Sequence, residues 1–381
     1  MVPTAWGGRG RGGVRIAMIG TRGVPVRYGG FETAVEEIGR RLVERGHEVT
    51  VYCRGEDRSP SYLGMRRVVL PAVRARAAET LSHTALSVLH QVRDHADVAL
   101  VFNAANAPLL PVLRARGIPV ALNVDGLEWK RGKWGPNGRR YYLAAERLAV
   151  RWADVLVADA VGIQDYYRTR YGAASRFLPY GAPLLEDPAL HRLSELALAP
   201  GGYHLVVARF EPENHVDVIL RGYLDSGAEL PLVVVGSAPY ASAHVEELER
   251  LGASDPRVRM LGGVFDQELL DALYAGSASY LHGHSVGGTN PSLLRALGAG
   301  APVTAFDVDF CREVAGDAGL YFADEADVAA AVKTVEADPA AARERGVAGR
   351  LRAGERYRWD DVAAGYEDMC RRMLAGLPQP L

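Results

Sequence analysis

Lysine is nearly missing from this chain. Among 44 lysines and arginines only Lys130, Lys133 and Lys333 are lysines, so two of the three fall within four residues of each other. Cysteine is scarce too. Cys53, Cys311 and Cys370 lie far apart with no metal-ligand spacing, which argues against a zinc site or a disulfide framework and suits reduced thiols in the cytoplasm. An excess of either charge is lacking: the formal net charge is -2, which removes the case for a nucleic-acid partner or a polybasic membrane tether. No apolar run approaches the roughly 20 residues of a membrane-spanning helix, so at most a peripheral membrane contact is expected. The first residues, MVPTAWGGRGRGGVR, carry positive charge without the apolar stretch of a secretory signal, and residues 1–13 read as a disordered tail.

What is present is an ordinary globular composition, 48% hydrophobic and 24% charged, in 381 residues, long enough for two or three domains. VRIAMIG, a helical pattern over ETAVEEIGRRLVERG, and then HEVTVYCR make a βαβ unit, which implies a parallel sheet. The alternation continues through VVLPAV, DVALVFN, IPVALNVD and DVLVAD, with helices expected around 79–96, 108–116 and 139–153. A Pro/Gly-rich connection follows, and the pattern restarts with YHLVVAR, PLVVVG, RVRMLGG, ASYLHGH and APVTAF. The expected fold class is α/β, with two Rossmann-like parallel-sheet domains over 14–185 and 200–355. A last helix over 356–376 follows. Ligands of such sheets bind beyond the carboxyl ends of the strands, which here means a cleft between the domains.

Four loops at strand ends carry the chemistry. In GTRGVPVRYGGFET, residues 20–33, the order needed for a tight dinucleotide turn is absent, but Gly29 and Gly30 directly precede a helix. Free N–H groups there suit a phosphate or a sugar hydroxyl, and a long turn-rich loop would use the same glycines. In VARFEPEN, residues 207–214, Arg209 stands at a strand end, where its fixed donors suit a diphosphate unless Glu211 or Glu213 takes them. In GHSVGGTNPSLLRALGAGAPV, residues 283–303, Gly287, Gly288 and Thr289 precede a helix specified by Asn290 as cap and Pro291 as first residue. An anion at that end gains from the donors and from the helix dipole. In NVDGLEWKRGKW, Asp125, Glu128, Lys130, Arg131 and Lys133 interleave with Trp129 and Trp134, a composition that suits a sugar or cyclitol ring lying flat. Asp307 and Asp309 form a D-x-D that reads as a surface loop rather than a metal site. His282 and His284 are expected to point to opposite faces of their strand, and neither a metal nor a cofactor is expected.

Taken together, GTRGVPVRYGGFET, NVDGLEWKRGKW, ARFEPENHVDVIL and HGHSVGGTNPSLL, spread over most of the chain, resemble the GT-B glycosyltransferases of family 4, and within them a rhamnosyltransferase-like branch. The resemblance implies transfer of a sugar from a nucleoside diphosphate donor with retention of anomeric configuration and without metal. It implies that Arg209 and Gly287, Gly288, Thr289 and Asn290 hold the diphosphate, with Gly29 and Gly30 approaching from the other domain. Asp125 falls where such enzymes keep a residue close to the reacting sugar, and Arg27, Tyr28, Glu128, Lys130, Arg131 and Lys133 fall on the acceptor side. It also implies that the last helix crosses back onto the first domain. Two residues depart from the pattern. Asn214 stands in place of a lysine, and Arg295 in place of a carboxylate that holds the donor ribose; both remain expected donor contacts. A small soluble acceptor such as an aminocyclitol or its phosphate, a lipid-linked polysaccharide precursor, and binding without turnover are all open at this point.

Overall fold

The computed structural model describes residues 12–26, 30–73, 78–124, 126–132, 134–237 and 243–380. Fourteen strands are described: β1 (Arg15–Ile19), β2 (Glu48–Cys53), β3 (Ser61–Tyr62), β4 (Met65–Val69), β5 (Val98–Phe102), β6 (Val120–Asn123), β7 (Val155–Ala158), β8 (Arg176–Phe177), β9 (His204–Val207), β10 (Leu232–Val235), β11 (Val258–Gly262), β12 (Ser279–His282), β13 (Val303–Phe306) and β14 (Gly319–Phe322). They form two sheets. The first has the order β3-β4-β2-β1-β5-β6-β7-β8, parallel except for the β3–β4 edge hairpin. The second is wholly parallel, β11-β10-β9-β12-β13-β14.

The central strands are near-continuous apolar runs because helices cover both faces of each sheet. Met18 of β1 pairs in register with Val51 and Leu100, and VALVF of β5 is buried throughout. In the Gly30–Glu44 helix the buried residues Ala34, Val35, Ile38 and Leu42 fall at the spacing of one face, laid on that core.

In both sheets the strand order reverses next to the first strand, between β1 and β5 and between β9 and β12. That reversal leaves a crevice at the carboxyl ends, where the neighbouring connections run to opposite faces. The chain then returns. Its last helix, Trp359–Ala375, packs on the first domain: Arg41 Nε lies 2.8 Å from Asp360 Oδ1, Arg176 2.8 Å from Asp368, and Asn123 Nδ2 donates to the Tyr366 hydroxyl at 3.3 Å. This is the GT-B architecture, with the crossing final helix. No helix among the described residues is long and apolar enough to cross a membrane.

Candidate active site between the two domains

The wall on the second-domain side begins at the end of β9. Past Val207 the chain turns through Arg209 into a short 3-10 turn, Pro212–Asn214, and His215 sits in the left-handed region at φ 45°. Three contacts hold this turn. Asn214 Nδ2 donates to the Arg209 carbonyl at 2.8 Å, Asn214 Oδ1 accepts from His284 Nδ1, and His215 Nδ1 is 2.8 Å from the Gly283 carbonyl oxygen. The His215 ring stacks on Phe306 with centroids 4.1 Å apart. Gly283 has to be glycine, since a Cβ there would lie 2.1 Å from the Asn214 carbonyl oxygen. The side chain of Arg209 is left half-buried with no ion pair among the described residues, so neither Glu211 nor Glu213 neutralises it.

The floor is the loop 283–290 and the helix Pro291–Gly298. Asn290 caps that helix by accepting from Ser292 N at 2.9 Å. The anion seat at its mouth is taken by a residue of the first domain. Asp159, following β7, accepts from the Thr289 backbone N–H at 3.2 Å through Oδ2, and its carbonyl accepts from the Thr289 hydroxyl. Gly288 makes room for this carboxylate, because a Cβ there would lie 2.2 Å from Asp159 Oδ1. Other backbone meets the same loop. A Cβ on Gly126 would lie 2.5 Å from Gly287 Cα, and one on Gly30 would lie 3.0 Å from the Pro291 ring.

The wall on the first-domain side is the loop after β6. Glu128 is buried and committed: Trp134 Nε1 donates to its Oε2 at 3.0 Å, and Arg131 Nε lies 2.5 Å from Oε1. Arg131 is itself buried and close to the second domain, where its charge and that of Arg209 act on His284. Burial first, then His282 and those two arginines, push the His284 imidazole well below its ordinary range, and burial lowers His282 to about 3. Both rings are therefore neutral hydrogen-bonding groups at neutral pH. They lie on one face, centroids 5.9 Å apart, contrary to the expectation of opposite faces; residues two apart on an extended strand share a face.

The fold thus brings Gly30, Glu128, Arg131, Arg209, Asn214, Gly287, Gly288, Thr289 and Asn290 to one interdomain crevice. Lys130 is exposed, its ammonium 5.7 Å from the Trp129 ring centroid. Arg295 is ion-paired with Asp271 of the Gln267–Ala275 helix, each side chain about one-fifth exposed (20%). Asp307 pairs with Arg312. Arg27, Tyr28, Gly29, Asp125 and Lys133 lie outside the described residues. Asp159 is not named by the sequence reading at all, and Glu213 and His284 are named there without a binding role. Each follows a strand's carboxyl end, and that position was the available signal.

Comparison with known proteins fits this geometry. Residues 29–181 match the glycosyl transferase 4-like domain and residues 202–338 match the glycosyl transferases group 1 domain. The chain is a glycosyltransferase enzyme of the GT-B class, built from these two domains in that order. It is 26% identical to the alpha-maltose-1-phosphate synthase of Mycolicibacterium smegmatis, over 95% of this chain and 100% of that protein. Its fold is similar to that of sucrose-phosphate synthase from Thermosynechococcus elongatus, with TM-score 0.80, 20% identity, and coverage of 95% and 99% of the two chains. It is also similar to the Anabaena HepE protein in complex with UDP, with TM-score 0.75, 14% identity, and coverage of 94% and 99%.

Proposed function

We propose that this enzyme moves a hexosyl or 6-deoxyhexosyl group from a UDP- or dTDP-linked donor to a hydroxyl of a small soluble acceptor. Transfer occurs with retention, without a bound metal, and in the cytoplasm. The observation that carries the reading is the pairing of an unneutralised guanidinium, Arg209, with a helix mouth that already accepts a carboxylate at Thr289. In the reaction the bond between the sugar C1 and the diphosphate oxygen breaks. A bond from C1 to the acceptor oxygen forms, and the acceptor hydroxyl proton is released. The charge that grows on the leaving diphosphate is met by Arg209 and by the helix dipole, both fixed before reaction. Asn214, where a lysine was expected, is spent on holding the Arg209 turn, which leaves Arg209 as the principal cation of the donor wall.

An acceptor such as an aminocyclitol or its phosphate, as in dihydrostreptosyl transfer of the streptomycin type, gives the exposed Lys130 a purpose. A phosphorylated acceptor is supported by the relatives named alpha-maltose-1-phosphate synthase and sucrose-phosphate synthase, and a UDP-linked donor by the HepE complex with UDP-glucose. A lipid-linked acceptor has less support. Of the basic residues on β4, Arg66 is paired with Asp94 and buried Arg67 with Asp57, which leaves neither charge free for a lipid headgroup.

The test is nucleotide release from UDP- and dTDP-hexoses with phosphorylated and unphosphorylated acceptors, in chelator, with the product anomer assigned by NMR. Release that depends on an acceptor, with retention, supports the reading. Nucleotide binding with no turnover across the panel would replace it with a binding protein.

A further inference from the structure

We propose that Glu213 reads the hydroxyl groups of the sugar carried by the donor, an assignment that rests on the donor reading above. Glu213 is 8% exposed, and neither carboxylate oxygen has a hydrogen-bond partner. It forms no ion pair among the described residues either. A carboxylate buried in this way is costly unless something supplies donors, so a carboxylate left without them at this place points to a ligand.

The residue is held firmly in place. Its own carbonyl accepts from Ser285 N at 2.9 Å and from the Ser285 hydroxyl at 3.1 Å, which ties it to the loop that runs on into the diphosphate seat. Asn214 beside it is bonded to the Arg209 carbonyl and to His284. The carboxylate reaches across the domain boundary: a Cβ on Gly132 would lie 3.9 Å from Oε2. A sugar attached to a diphosphate at Arg209 and Thr289 would extend toward Glu213 and the first domain's loop.

The chemistry narrows the ligand group. A carboxylate only accepts, with about four lone-pair positions, so two neighbouring hydroxyls of a hexose satisfy it. It repels the diphosphate itself and any phosphate on the acceptor, so its contact is with neither. A cationic acceptor is the competing ligand and is separated by the experiment.

Calorimetry with UDP and UDP-glucose, and with dTDP and dTDP-glucose, is run on the wild type and on Glu213→Gln. In the wild type the sugar nucleotide binds more tightly than the bare diphosphate. In the variant the sugar-nucleotide affinity falls about tenfold or more while affinity for the bare diphosphate stays within about twofold. The empty variant melts no lower than the wild type, because the charge it loses had no partner; a residue with a purely structural role would melt lower. A second measurement needs no variant: UDP-glucose analogues with single hydroxyls replaced by fluorine should lose affinity at adjacent positions. The assignment is overturned if every fluorinated analogue binds like the parent. It is also overturned if diphosphate affinity falls equally in the variant, or if only the KM of an amino-bearing acceptor changes. Failure of UDP and dTDP to bind the wild type at all is a separate result and refutes the donor reading itself.

Discussion

Replacing Asp159 with asparagine removes a charge from the mouth of the Pro291–Gly298 helix while keeping the side chain's size. In the empty protein that carboxylate takes the Thr289 N–H at 3.2 Å, where a donor phosphate is expected to bind. A charged hydrogen bond contributes about 1.5–3 kcal/mol and the helix dipole about 0.3–1 kcal/mol. The contact is long and its carboxylate is desolvated, so a net of about 1–2 kcal/mol is a fair measure of what a donor must displace. At 1.4 kcal/mol per tenfold, Asp159→Asn should bind UDP about 5–30 times more tightly. The same change should lower the melting temperature of the empty protein slightly, since it weakens an interdomain contact that an amide oxygen can still make. Calorimetry at one fixed ionic strength, with thermal melting alongside, measures both. Unchanged or weaker UDP binding would refute the view that Asp159 occupies the phosphate seat.

Three further outcomes are expected. Arg209→Ala should lower kcat about 30- to 1000-fold, from a loss of about 2–4 kcal/mol, with an unaltered melting temperature because only the arginine backbone is engaged by the fold; normal turnover with a competent donor would remove Arg209 from the site. Arg295→Glu sets a carboxylate against Asp271 and should cost about 1–3 kcal/mol of stability, recovered by adding Asp271→Arg. Tighter UDP binding at undiminished stability would show instead that the arginine displaces a ribose contact. Glu336 sits at about 2 rather than 4.5: burial acts to raise it, but the hydrogen bonds from His204 and from the Glu229 and Leu230 N–H groups outweigh this. A depressed acid contributes stability above its unfolded pKa and loses it as pH falls toward the folded value. Glu336→Gln should therefore flatten the loss of stability between about pH 4.5 and 2, and an acid limb identical to wild type would count against that network.

Much of the frame was legible in the chain. The apolar runs of β1, β5, β9 and β12 and the helix over Gln267–Ala275 follow from local periodicity, and the Asn290–Pro291 start follows from cap chemistry. Strands β3 and β8, two residues each, are too short to show a period. The helices Glu325–Ala337 and Pro339–Arg356 are rich in alanine and charge, and they show no apolar stripe sharp enough to read. Of the site, Arg209 and the 287–290 loop stand out because strand ends and glycine-opened helices attract anions. Glu213 looked like a partner for Arg209, and only the folded chain leaves its carboxylate empty-handed.

The sequence by itself determined two doubly wound sheets, the place of the crevice beyond their strand ends, and a helix mouth fit for an anion. All of these depend on residues a few positions apart. What lies in that mouth was decided by tertiary structure alone, because Asp159 reaches Thr289 across 130 positions of chain. The same holds for Arg295, whose partner Asp271 stands on a separate helix, and for Glu213, aimed at a loop of the other domain. A side chain's type is set by its codon, but its charge acts on whatever packing puts within a few ångströms.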